Sequence, residues 1–150
     1  MLILILILLE LYFPSISYKS FNIDPAFFLL LIIFITFKYG RIKGTLIAFL
    51  FGFIIDILIQ SSLFGFIALL TCIFSYMISF LIKINDIRIK YIASILLSLV
   101  YFYFYYFIQF STSFIIYVEL SFMKTLLTII AYSLINLFFS KRYKFFEKQF

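Results

Sequence analysis

Long apolar runs, separated by short polar or basic breaks, are the first pattern in this chain. Taken in order they lie over 2–18, 25–38, 44–60, 64–82, 91–110 and 118–140, followed by a basic tail over 141–150. Each run but the second approaches the roughly 20 apolar residues that a helix needs to cross a bilayer. The pattern therefore predicts one all-α membrane domain of six transmembrane helices in a compact bundle. The first run is interrupted by Glu10 and Pro14, and is expected to continue past a kink to Tyr18, to tilt, or to span only in part. It has no basic leader and no small-residue cleavage site, so a cleaved signal peptide is not expected. A polar loop over 15–24 precedes Pro25, which suits the first helical position with Asp24 as its cap.

The breaks predict orientation. Lys38, Arg41 and Lys43 follow the second run, Lys83, Arg88 and Lys90 follow the fourth, and Lys141, Arg142, Lys144 and Lys148 lie in the tail. If six crossings are counted from a cytoplasmic N-terminus, all of these fall on the cytoplasmic side, and the outer loops hold only Lys19. Both termini are thus expected inside. The clusters face anionic lipid on this reading, and the tail suits a membrane surface.

Composition sharpens the membrane reading. Of 150 residues 67% are hydrophobic and 12% charged, with a net charge of +6. The basic residues are broken up between apolar runs, which argues against nucleic acid as the partner. There is no His and one Cys, so an intrachain disulfide and a zinc site are excluded. No Walker loop, dinucleotide fingerprint, Ser–His pairing or close carboxylate pair is present, and neither an enzyme nor a cofactor is expected. The 24 Phe residues read mainly as apolar bulk. The Tyr/Phe block YFYFYYFIQF closing the fifth run suits a headgroup interface.

Against this bulk, small residues stand out. Gly44, Ala48, Gly52 and Asp56 recur every four residues in the third run. Gly65, Ala68, Cys72, Ser75 and Ser79 recur at three and four in the next. Such series let helix backbones approach closely in lipid, where packing and polar contacts replace the hydrophobic effect. The seams are expected to face each other or neighbouring helices; the sharper alternative is that the Gly44 seam receives a partner's helix. A carboxylate within a membrane helix costs several kcal/mol unless it faces protein or water. Asp56 is therefore expected to pair with Lys124, to cap amides of the turn near Ser61 and Gly65, or to serve as an ion or proton site. Glu10 is read as an interface group or an inward-facing partner. Glu119 and Lys124, five apart, point in different directions. Asn136 shares a side with Ser133 and Ser140 and is a candidate interhelical bridge.

The order Asp24-Pro25, basic turn, Gly44, Gly52-x-x-x-Asp56, then Ser61-Ser62-Leu63-Phe64-Gly65 resembles the rod shape-determining protein MreD family. Chain length, Asn136 in the last helix and the basic tail add to the resemblance. The chain departs from the family in placing Asp24 before Pro25 and in its heavily aromatic fifth run. The resemblance implies a non-enzymatic scaffold of the bacterial elongation machinery, in the cytoplasmic membrane. Its implied partners are an MreC-like protein, the MreB filament and the glycan polymerase and transpeptidase of lateral wall synthesis. Gly44, Gly52, Asp56, Ser61 and Gly65 carry over as docking or structural positions. A fold similar to the S components of energy-coupling-factor transporters is implied as well. The alternative function is that of such a vitamin-binding component, against which stands the scarcity of convergent polar side chains.

Overall fold

The computed structural model describes residues 9–10, 12–18, 21–59, 64–110 and 113–139. Two short strands, β1 (Ile16–Tyr18) and β2 (Phe21–Ile23), come before five helices. These are α1 (Phe27–Tyr39), α2 (Arg41–Ile59), α3 (Phe66–Leu81), α4 (Ile87–Gln109) and α5 (Phe114–Phe139).

Six transmembrane helices are not what the chain forms. Among the described residues only two helices are long and apolar enough to cross a membrane, over Arg88–Gln109 and Phe114–Leu134, with mean hydropathies of 1.7 and 1.8. They mark the protein as membrane-associated. The apolar helices α1 and α3 have 13 and 16 residues. At 1.5 Å per residue they reach only about 20 and 24 Å, against a hydrocarbon core of about 30 Å. Without six crossings the loop charges no longer place both termini inside, and the six-helix likeness to transporter S components falls as well.

The first run is also corrected. Leu9 and Glu10 are helical, but beyond Pro14 the chain is extended rather than helical. Ile16, Ser17 and Tyr18 pair antiparallel with Ile23, Asn22 and Phe21. Apolar and polar residues alternate on both arms, so one face of the ribbon is apolar and its backbone groups pair with each other. That face packs on the core, where Ile23 is buried and Phe21 meets Phe110 edge-on at 5.0 Å. The hairpin thus sits against α5 and the end of α4.

The helix boundaries have local causes. α1 stops at Gly40, whose amide donates to the Thr36 carbonyl, and α2 restarts at once at Arg41. α4 begins at Ile87, before the expected 91, because the Asp86 side chain accepts from the Arg88 amide at 2.9 Å. α5 begins at Phe114, where the Ser113 carbonyl accepts from Ile116. The core gathers residues of the hairpin and all five helices, including Ile32, Ala48, Phe74, Phe102 and Leu120. Helices α2 to α5 also expose bulky apolar residues on their outer sides: Leu46, Leu50 and Ile57 on α2, Ile73 on α3, Leu96 and Val100 on α4, and Phe122 and Ile130 on α5. Apolar surface of this extent meets lipid or partner protein rather than water.

Candidate functional site at the helix seam

α2 lies between α1 and α3, and its small residues mark both contacts. A Cβ on Gly44 would stand 2.6 Å from Thr36 Oγ1 and 2.8 Å from Thr36 Cα on α1. A Cβ on Gly52 would collide with Thr71 Oγ1 and stand 2.6 Å from Ala68 Cα on α3. Neither position has room for a single methyl group. Ala48 between them is fully buried. The α2 series and the α3 series thus meet each other at Gly52 and Ala68, and at Gly44 the α2 series meets α1.

Hydroxyls on the neighbouring helices line this interface. Thr71 Oγ1 on α3 reaches the Ala48 carbonyl of α2 at 3.0 Å, as well as its own helix's Ile67 and Ala68 carbonyls. Thr36 Oγ1 donates to the Ile32 carbonyl, so its 2.8 Å contact with Ser75 Oγ has Ser75 as the donor. Each polar group pairs inside the protein, as an apolar surrounding requires.

Asp56 closes the seam. It is 0% exposed, and its two carboxylate oxygens accept from the amides of Ile67 at 3.2 Å and Ala68 at 2.9 Å. Those amides belong to the first turn of α3, which has no partner for them within its own helix. Gly65, the residue before α3, supplies no capping side chain and takes φ +88, a left-handed conformation natural to glycine. The cap therefore arrives from the preceding helix, and the negative charge sits at the positive end of the α3 dipole. Of the three roles open to Asp56 on sequence, the geometry realises the amide cap. Lys124 is engaged elsewhere.

That second polar cluster joins the start of α1 to α5. Lys124 Nζ stands 3.2 Å from Asp24 Oδ1 and lies over the rings of Phe102 and Tyr105, at 5.6 and 5.4 Å. Asp24 is therefore the partner of Lys124 and not the cap of α1. The amides at the start of α1 are served from outside it: Phe28 donates to Glu10 Oε2 at 3.0 Å, and Ala26 donates to Thr128 Oγ1 at 3.3 Å. Glu10 points inward. The hydroxyls of Tyr101 and Tyr106 are buried beside this cluster with no partner among the described residues.

The basic positions divide. Lys43, Lys83 and Arg88 are exposed and Lys90 is buried. Lys38 Nζ lies over the rings of Phe34 and Tyr39. The Arg41 guanidinium stacks on Tyr76 at 3.8 Å and reaches Phe80 at 5.6 Å, fastening the start of α2 to the end of α3. The sequence marks Arg41 only as a topology signal; its stacking partner is 35 residues away and no spacing rule connects them. Ser61, Lys141 and Arg142 lie outside the described residues, as does the side chain of Asn136 on α5. Among the described residues no three His, Cys, Asp or Glu side chains converge on one point. No protein-family profile, curated protein or solved structure matches this chain.

Proposed function

We propose that the protein is a non-enzymatic membrane scaffold of the bacterial cell-elongation machinery, acting by helix docking within the cytoplasmic membrane. The resemblance carried by Gly44, Gly52, Asp56 and Gly65 is the source of this reading. The observation in its favour is that all four residues serve the packing of α2 between α1 and α3. Gly44 and Gly52 admit the neighbouring backbones, Asp56 caps α3, and Gly65 turns into it. Their side of α2 is filled by the protein itself. A partner helix would then meet the opposite, bulky side of α2, where Leu46, Phe49, Leu50, Phe53, Ile54 and Ile57 are exposed at i, i+3, i+4, i+7, i+8 and i+11.

The finer localisation follows from the charges. Lys83, Arg88 and Lys90 surround the start of α4, and the sequence between α4 and α5, 110–113, carries no charge. By the positive-inside rule the start of α4 is cytoplasmic, and α4 and α5 form a two-pass anchor in the inner membrane. An MreC-like protein and the wall polymerase and transpeptidase are the expected membrane partners, with the MreB filament at the basic side.

The test is a mild-detergent pull-down of the tagged full chain from its native membranes, followed by mass spectrometry. Recovery of MreC-like and wall-synthase proteins, reduced at least tenfold by the double substitution Leu50→Ala and Phe53→Ala, is the expected result. Recovery of an ATPase-bearing coupling module or a bound vitamin in their place overturns the scaffold reading.

A further inference from the structure

The N-terminal turn is fastened to α1 by a single polar side chain. Glu10 Oε2 accepts from the Phe28 amide at 3.0 Å, in the first turn of α1, where amides have no partner in their own helix. The rest of the attachment is apolar: Leu9 packs on the cluster of Phe27, Leu31 and Ile35, and the Phe13 ring meets Phe27 edge-on at 5.3 Å. Farther along, α1 is parted from the α4–α5 pair by an open groove lined by Leu29, Ile33, Ile95 and Ile129. Polar contacts join α1 to the long helices at its N-terminal end, through Ala26 to Thr128 and through Asp24 to Lys124.

The charges at that end do not balance. Two carboxylates, Glu10 and Asp24, stand near one ammonium, Lys124. Lys124 is paired with Asp24 at 3.2 Å, and no cation among the described residues forms an ion pair with Glu10. The other groups near Glu10 bring no positive charge. α4 contributes the phenols of Tyr101 and Tyr105. The titratable residues of α1, Lys38 and Tyr39, stand at its opposite end. Asp56 of α2 is turned to the α3 amides. Glu10 therefore holds a part-buried negative charge against backbone amides alone.

We propose that Glu10 is a proton-operated latch: on acidification its carboxylate takes one proton from solvent, and the neutral carboxyl fastens the N-terminal turn to α1 more tightly than the charged form. The neutral group keeps an oxygen to accept from the Phe28 amide and sheds a charge that burial penalises. Burial is the largest influence on Glu10 and holds its carboxyl above the ordinary carboxylate range, with help from the Asp24 charge; the Phe28 amide, Lys124 and the Phe27 amide pull the other way. A folded-state value raised above the unfolded one gives a stabilisation that is complete at low pH and is lost as the pH rises through the folded value. Asp24, at 39% exposure, brings the cluster to the protein surface, where protons exchange.

The test is hydrogen–deuterium exchange of the full chain in detergent, followed by mass spectrometry of the peptide holding Ala26 and Phe28, between about pH 8 and pH 5. Rates are corrected for the intrinsic pH dependence of exchange and referred to the α3 core. Wild-type protection is expected to rise about threefold or more on acidification, while Glu10→Gln, neutral throughout, should hold one value across the range. Asp24→Asn removes a neighbouring negative charge and releases Lys124, so the rise should move to lower pH. Glu10→Ala should lose protection at both ends of the range. Constant or falling protection in the wild type overturns the latch, as does a rise of the same size in Glu10→Gln. A transition unmoved by Asp24→Asn overturns the charge imbalance as its cause, and wild-type protection in Glu10→Ala overturns Glu10 as the fastening. None of these outcomes bears on the scaffold reading, which the pull-down addresses separately.

Discussion

The α2–α3 hairpin and the α4–α5 pair are both antiparallel and apolar, yet they are held together by opposite means. In the hairpin the backbones touch: Gly52 faces Ala68 with no room for a methyl group, and the polar atoms of Thr71 and Asp56 join one helix's backbone to the other's. In the long pair large side chains mediate the contact. Tyr91 meets Tyr132 at one end, and Tyr103 and Phe107 pack around Tyr117 at the other. The difference follows helix length. α4 and α5 can be placed by the bilayer, because each is long and apolar enough to cross it. α3 is not, so its position depends on the protein, and close approach with satisfied amides supplies what length does not.

This contrast predicts an order of sensitivity. Gly52→Leu should be the most damaging change, because the new side chain collides with the Ala68 backbone, which cannot move aside as a side chain can. Overpacking of this kind costs about 3 kcal/mol or more. Fluorescence-detected size exclusion across a temperature series should show little folded protein, while Leu96→Ala, on the exposed side of α4, should shift stability by no more than about 0.5 kcal/mol. Equal tolerance of the two changes would dissolve the contrast.

Asp56→Leu comes next. It leaves the Ile67 and Ala68 amides buried without an acceptor, at about 2–3 kcal/mol. Asp56→Asn retains one side-chain oxygen and should cost about half of that. Unfolding midpoints of the three proteins in one detergent give the ranking. An Asn variant as stable as wild type but inactive in cell-shape complementation would point to a charge requirement beyond capping.

A smaller effect is expected where the two halves are joined by the Asp24–Lys124 pair. Its side chains are 39% and 11% exposed respectively, so water compensates Asp24 when Lys124 is lost. A double-mutant cycle of Asp24→Asn with Lys124→Met should return a coupling of about 1 kcal/mol. A coupling of 3 kcal/mol or more would mean that this junction rivals the seam.

The smallest effect belongs to the long pair itself. Tyr91→Phe removes one partly buried hydrogen bond to Tyr132 and should cost about 0.5–1 kcal/mol. A larger loss would show that α4 and α5 need side-chain pairing as strictly as α2 and α3 need backbone contact.

Several features were legible because they are local. Helix periodicity and glycine spacing can be read from a window of a dozen residues, so the apolar runs and both small-residue series stand out unaided. The β1–β2 hairpin was also within reach: Ile16-Ser17-Tyr18 and Phe21-Asn22-Ile23 alternate around a two-residue gap, a period of two that a search for spanning helices passes over. The Arg41–Tyr76 stack and the delivery of a cap from Asp56 to α3 were less accessible. The first joins residues far apart in sequence. The second was one of three roles that a lone buried carboxylate could fill, and only the folded positions of the Ile67 and Ala68 amides, with Lys124 held by Asp24, single it out.

What the sequence by itself determined is a chain of apolar helices in which α2 and α3 carry small residues on one side, because composition and periodicity depend only on residue order. Tertiary structure decided which polar groups pair and how much of each apolar run becomes helix. Those outcomes depend on how segments distant in sequence meet, and therefore on where a strand pair, a part-buried ion pair and an open groove are accommodated.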